Sequence, residues 1–183
     1  PLFRARRRRI GRKQGQSLFS AQGMIAVETD VSGEWGARTD WPALARSAVR
    51  AAVTHSRHPS LADNEVSVKF ASDAEVRALN AQWRGKDKAT NVLSFPMASE
   101  VELANAPLLG DVVLAYGVCA AEAEAKGVAI DTHAAHLLVH GTLHLLGYDH
   151  QTDEEAEAME EVERRALAAI GIADPYHVTE VQP

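Results

Sequence analysis

Cysteine is almost missing from this chain. The one thiol, Cys119, excludes an intrachain disulfide framework and fits a reducing, cytoplasmic compartment. Without a second cysteine there is no thiolate pair for a metal. Cys119 lies in an alanine-rich stretch, where a small buried residue is expected rather than a reactive thiol. Long apolar runs are missing too: none reaches the length that crosses a bilayer. No apolar stretch separates the early basic residues from a small-residue cleavage site, so no secretory signal is expected. Residues 24–175 contain no internal repeat and no low-complexity linker. The chain has 183 residues, 46% of them hydrophobic, enough for one domain with a sizeable core.

Charge is plentiful and uneven. The net charge is -6, yet residues 1–23 carry seven cations and no acid. That leaves 12 of the 19 cations to face all 25 acids in the remainder. The run Arg6–Arg9 could hold nucleic acid. A like-charge block at a chain end also reads as a disordered extension, or as an upstream stretch before a true start at Met24, and we assign it no function. Three segments are expected: a basic extension over 1–23, one domain over 24–176 and a C-terminal tail over 177–183.

Within that domain the pattern predicts strands over Met24–Glu28, Glu65–Phe70, Thr90–Phe95 (stopped by Pro96) and Gly110–Leu114. Helices are expected over Trp41–His55, from the Ser72–Glu75 capping box to about Trp83, over 116–126, over 132–146 with Asp131 as N-cap, and from the Thr152–Glu155 capping box to about Ile170. Residues 97–107 read as a loop. A strand–helix–strand start suggests a right-handed crossover and a parallel pair. The fold class is α+β: a small mixed four-stranded sheet with helices packed on one face, and a metal site in a cleft at the end of a helix.

Five of the eight histidines fall between 133 and 150. His140 and His144, four apart, share one helical face. Gly147 lets the chain leave the helix in a left-handed conformation, which can swing His150 back to the same point. Three neutral imidazoles with a fourth position open are the arrangement of a catalytic zinc site, one Zn2+ per chain. The spacing matches a zinc-protease signature, HExxHxxGxxH, at every ligand and at the glycine. It departs at Gly141, where those proteases carry their general base, which argues against peptide hydrolysis. His136, one turn before His140, could line the same cleft or support a ligand; His133 and His136 taken singly read as structural. His55, His58 and His177 read as surface residues.

Arg84, Lys86 and Lys88 form the one cationic spot inside the acidic body. Arg84 offers a planar fork for phosphate, and the lysines add point charges. The segment reads equally as a solvated turn.

Three segments together resemble the bacterial YbeY family of endoribonucleases and rRNA maturation factors: Leu79–Pro96, Leu109–Val113 and His136–His150. The resemblance covers about residues 24–176. It implies a single-strand-specific, metal-dependent endoribonuclease acting in 3′-end maturation of small-subunit (16S) rRNA and in ribosome quality control. Its partners would be RNA and the small ribosomal subunit or its assembly factors, with no membrane. It implies His140, His144 and His150 as zinc ligands and Arg84 as the arginine serving RNA cleavage or binding. Asp149 stands as either a general base or a partner of an imidazole, and whether water or the RNA 2′-hydroxyl attacks stays open. A zinc protease and a non-enzymatic assembly factor with a structural zinc are the alternatives.

Overall fold

The computed structural model describes residues 24–61 and 64–176. The segments expected as a basic extension, 1–23, and as a C-terminal tail, 177–183, lie outside the described residues.

The first strand, β1 (Ala26–Val31), leads through a short 3-10 turn, Gly33–Trp35, into α1 (Trp41–His55). Asp40 caps α1 by accepting a hydrogen bond from the Ala43 amide at 2.9 Å, and Pro42 sits in the first turn, where its missing N–H costs nothing. Strand β2 (Glu65–Ala71) runs parallel to β1, as the strand–helix–strand start suggests. Helix α2 (Asp73–Arg84) opens on the Ser72–Glu75 capping box and stops at Gly85, whose φ of 67° is left-handed. Strand β3 (Val92–Pro96) lies antiparallel to β4 (Leu108–Ala115), which runs parallel to β2. The sheet order is therefore β1-β2-β4-β3, leaving β3 on an edge. An edge strand tolerates Pro96, since its missing N–H need not face a partner.

Three helices follow: α3 (Tyr116–Lys126), α4 (Ile130–Leu145) and α5 (Asp153–Ala169), the last capped by Thr152 with Glu155. The N-cap of α4 is Ala129, not Asp131 as expected. Asp131 lies inside the first turn, where its carboxylate accepts from the Thr132 amide and favours the positive end of the helix dipole. The expected loop 97–107 contains a 3-10 turn, Glu100–Asn105, opened by a Ser99–Glu102 capping box.

Alternation along the strands divides the core. Val66, Val68 and Phe70 of β2 join Val112 and Leu114 of β4 against α1, α4 and α5. Val113 and Ala115 point the opposite way, with Leu93 of β3, onto Val76 and Leu79 of α2 and Val118 of α3. Helices thus cover both faces, correcting the expectation of one. The reason is β4: its residues 109–115 are all buried, so this central strand has no wet face. The large cluster carries most of the burial, each enclosed Leu or Phe contributing about 1.5–3 kcal/mol. It seats α4 firmly across β3 and β4, and this positions the histidines.

Candidate metal centre

Helix periodicity brings His140 and His144 onto one face of the last two turns of α4. The chain then turns sharply. Gly147 adopts φ 83°, and the amides of Gly147 and Tyr148 cap the helix by donating to the carbonyls of His144 and Leu143. His150, three residues later, swings back to the other two rings. Its ring centroid lies 5.6 Å from that of His140 and 5.1 Å from that of His144. One nitrogen from each of His140, His144 and His150 lies within 4.8 Å of the others, so the three could hold a metal ion.

The hydrogen bonds behind the rings decide which nitrogens face inward. His144 Nδ1 lies 3.0 Å from the Tyr148 carbonyl oxygen. A carbonyl only accepts, so Nδ1 carries the proton and Nε2 presents its lone pair. His140 Nδ1 is held in the same way by Glu163 Oε1 at 2.8 Å. The two Nε2 atoms then stand 3.1 Å apart. Two lone pairs facing at that distance repel unless a cation lies between them. Ligating nitrogens around tetrahedral zinc, with Zn–N bonds of about 2.0–2.1 Å, are separated by about 3.3 Å. The donor set therefore fits a borderline-soft divalent ion. Burial, then repulsion from His140, holds the His144 pKa below its ordinary range, favouring the neutral, ligating ring.

Glu163 was not among the residues expected at the site. It is fully buried, and its carboxylate also meets His136 Nε2 at 3.2 Å and accepts a short hydrogen bond from the Tyr176 hydroxyl. Burial works to raise its pKa. Hydrogen bonds from His136, His140 and Tyr176 outweigh that and hold it at about 2. One signal in the sequence points to it: Glu163 interrupts the apolar stripe of α5 formed with Met159, Val162, Ala166 and Leu167. A carboxylate in such a stripe needs a buried partner. His136 therefore touches the cluster through Glu163 rather than lining the cleft.

The expected Arg84 and Asp149 both line a cleft of about 610 Å³ with the three histidines, along with Asn91 and Ser94 near the β3 edge. Lys86 and Lys88 do not; they are exposed on the loop beyond Arg84. Asp149 accepts from the His150 amide at 2.9 Å and from Gln151 Nε2 at 2.6 Å. These bonds, the amide first, hold its carboxyl below the usual range. The turn is braced from outside by Arg57, which donates to the Gly147 carbonyl at 2.8 Å, covers the Tyr148 ring at 4.4 Å and pairs with Glu100 at 2.9 Å. Cys119 is buried, and burial pushes its thiol up to about 12, as suits an inert core residue.

Gly141 explains the departure from the protease pattern. A Cβ there would lie 2.8 Å from Val112 Cγ1 and 2.9 Å from Ser94 Oγ. This face of α4 rests directly on β3 and β4, with no room for a glutamate.

Comparisons with known proteins agree with this architecture. The family described as Endoribonuclease YbeY matches residues 31–171. Curated relatives with that name include proteins from Rhizorhabdus wittichii, 53% identical over 168 residues (86% of this chain, 99% of that one), and Novosphingobium aromaticivorans, 53% identical over 162 residues (83% and 96%). The relative from Zymomonas mobilis is 48% identical over 164 residues, covering 84% of this chain and 93% of its own. The solution structure of TM1509 from Thermotoga maritima aligns with a TM-score of 0.53 and 21% identity, over 85% of this chain and 100% of that one. That likeness speaks to the fold alone.

Proposed function

We propose, since the chain belongs to the endoribonuclease YbeY family, that it is a metal-dependent endoribonuclease that cuts single-stranded RNA within rRNA. The observation that carries this reading is the pair of inward Nε2 lone pairs at His140 and His144, each fixed by an acceptor behind its ring. His140, His144 and His150 would hold one divalent cation, with zinc preferred by the all-imidazole donor set, although imidazole suits several ions. Bound there, the ion would supply Lewis acidity to a phosphoryl oxygen and lower the pKa of water.

The chain's own residues do the rest. Arg84, across the cleft, presents a guanidinium that grips a phosphate by two parallel hydrogen bonds and offsets the charge that grows on it. Lys86 and Lys88 extend the cationic ground along which the backbone approaches an otherwise acidic body. Asn91 and Ser94 place polar groups along the wall. Asp149 is a poor base, because its oxygens are engaged and its pKa is depressed; its role is to hold the turn that aims His150. Glu163 and the Tyr148 carbonyl keep two rings in the ligating tautomer. The same reading extends to 3′-end maturation of 16S rRNA and ribosome quality control in the cytoplasm, with the small ribosomal subunit or its assembly factors as partner.

The test is cleavage of an unstructured RNA and, in parallel, of a peptide, before and after chelation, with elemental analysis of the purified protein. RNA cleavage that stops on chelation and returns with metal is expected, with no peptide cleavage. Full activity in a metal-free preparation would sink the proposal. Arg84→Ala is expected to slow RNA cleavage by roughly 100-fold or more, with metal content unchanged. Unaltered kinetics on several RNAs would remove Arg84 from the site.

A further inference from the structure

Trp83 is the one tryptophan, among the described residues, left in solvent. Trp35 and Trp41 are 4% and 3% exposed, and each gives its indole N–H to a backbone carbonyl in the core. Trp83 is 55% exposed. It sits in the last turn of α2, directly before Arg84, and its ring meets Phe95 edge-on at 6.4 Å. Phe95 belongs to the edge strand β3, and alternation turns it to the α2 face with Leu93, while its neighbours Ser94 and Pro96 line the cleft. The indole is thus held against edge strand β3 from the α2 side, more than half exposed, and the next residue, Arg84, lines the cleft.

The loop that follows is fixed rather than loose. Gly85 takes a left-handed conformation, the Lys86 amide donates to the Asn80 carbonyl at 3.2 Å, and Asn80 Nδ2 donates to the Lys88 carbonyl at 2.7 Å. Asp87 is offset by a two-pronged pair with Arg77 at 2.6 and 2.7 Å. What remains on the segment that follows the ring is the positive charge of Arg84, Lys86 and Lys88, on a body that is otherwise strongly acidic. An exposed indole on a cationic segment, one residue from an arginine that lines the cleft, is suited to a base of a polyanionic single strand that rounds the β3 edge. An acidic or neutral apolar partner would match the ring but not its setting.

We propose that Trp83 is a stacking platform for an unpaired nucleobase of the RNA strand whose backbone passes Arg84. This rests on the endoribonuclease reading and deepens it, giving the site a reason to prefer single strands. In a duplex the base faces are covered by their neighbours and cannot lie on the indole. Because every base has a π-face, the platform tolerates sequence and discriminates against abasic and paired substrates.

The experiment compares the full-length, metal-loaded protein with Trp83→Ala and Trp83→Phe. Binding is read with a 2′-O-methyl oligonucleotide of about 12 nucleotides, in single-stranded, duplex and abasic forms, a length spanning typical single-strand sites. Trp83→Ala is expected to weaken single-strand binding by roughly 5- to 150-fold, the range of one lost stacked base. On cleavable RNA the loss should fall on KM, with kcat, metal content and thermal midpoint held. Trp83→Phe, which keeps a ring, should recover most of the affinity. Since Trp35 and Trp41 are buried, the single strand should shield the wild-type fluorescence from a soluble quencher, and the abasic strand should not. Trp83→Ala binding like the wild type, or Trp83→Phe as weak as Trp83→Ala, would overturn the platform while RNA cleavage by the wild type kept the enzyme reading intact. A wild-type protein that neither binds nor cleaves RNA would overturn both.

Discussion

Gly141 shows how one missing side chain sets both packing and chemistry. Inside a helix a glycine is about 1 kcal/mol worse than alanine, so Gly141→Ala ought to stabilise α4 on propensity alone. The packing argument runs the other way. The new Cβ would press on Val112 Cγ1, which belongs to a fully buried, stiff side chain on the central strand, and on Ser94 Oγ, which already donates to the Gly141 carbonyl at 3.1 Å. Overpacking of this kind costs about 1–3 kcal/mol and should win. Gly141→Ala is therefore expected to lower the midpoint of urea unfolding; a midpoint at or above the wild type would mean that β3 yields to let α4 move. The same contact explains why a glutamate grafted onto this position would not recreate a protease.

At the scale of elements, the metal centre depends on a turn as much as on a helix. Helix α4 delivers two histidines by periodicity, but His150 arrives only because Gly147 takes a positive φ and Arg57 and Glu100 close over it. Gly147→Ala would force an L side chain into the left-handed region, at a cost of about 1–2 kcal/mol. Its Cβ would also come within 3.3 Å of Glu100 and 3.4 Å of Arg57 Nη2. The chain's cheapest relief is to unwind the turn, which carries His150 away. We expect Gly147→Ala to bind a divalent ion at least about 10-fold more weakly in chelator competition while keeping most of its helical signal. Undiminished affinity would show that His150 is placed by something other than this turn.

For the molecule as a whole, pH is the lever that reads the buried polar pairs. Glu122 of α3 and His133 of α4 meet at 2.7 Å, and Asn91 donates to the same carboxylate at 3.0 Å, tying two helices to the start of β3. Burial lowers the His133 pKa, although Glu122 works to raise it. Burial works to raise Glu122, yet hydrogen bonds from Asn91 and His133 hold it below its ordinary value. Both shifts make the unfolded chain the stronger proton binder, so stability is lost as the pH falls. Loss should begin below about pH 6.5, as unfolded histidine protonates, and continue below about pH 4.5, as unfolded glutamate does. Relief of the acidic body's self-repulsion acts in the opposite sense, but at about 0.15 M salt charges more than about 8 Å apart are screened. Chemical unfolding from pH 7.5 to 4 should give falling stability, with Glu122→Gln less stable near neutrality and flatter in acid. A wild-type protein that gains stability on acidification would contradict this account.

Much of the architecture is local and so stands in the chain itself. The caps at Asp40, Ser72 and Thr152 are side-chain to backbone bonds within three residues, which short-range spacing specifies. The four-residue spacing of His140 and His144 places two rings together in any α-helix, and Gly147 marks where it ends. Tertiary packing decided what spacing cannot encode. Sheet order put β3 at the edge beside the histidines, and β4 buried on both sides drew helices to two faces rather than one. Packing also brought Glu163 behind His140 across 23 residues of sequence, Arg84 into the same cleft and Trp83 against Phe95 of the edge strand. These meetings join residues far apart in the chain. They are selected by burial of a shared apolar core, whose driving force is non-directional and leaves no periodic trace between the partners.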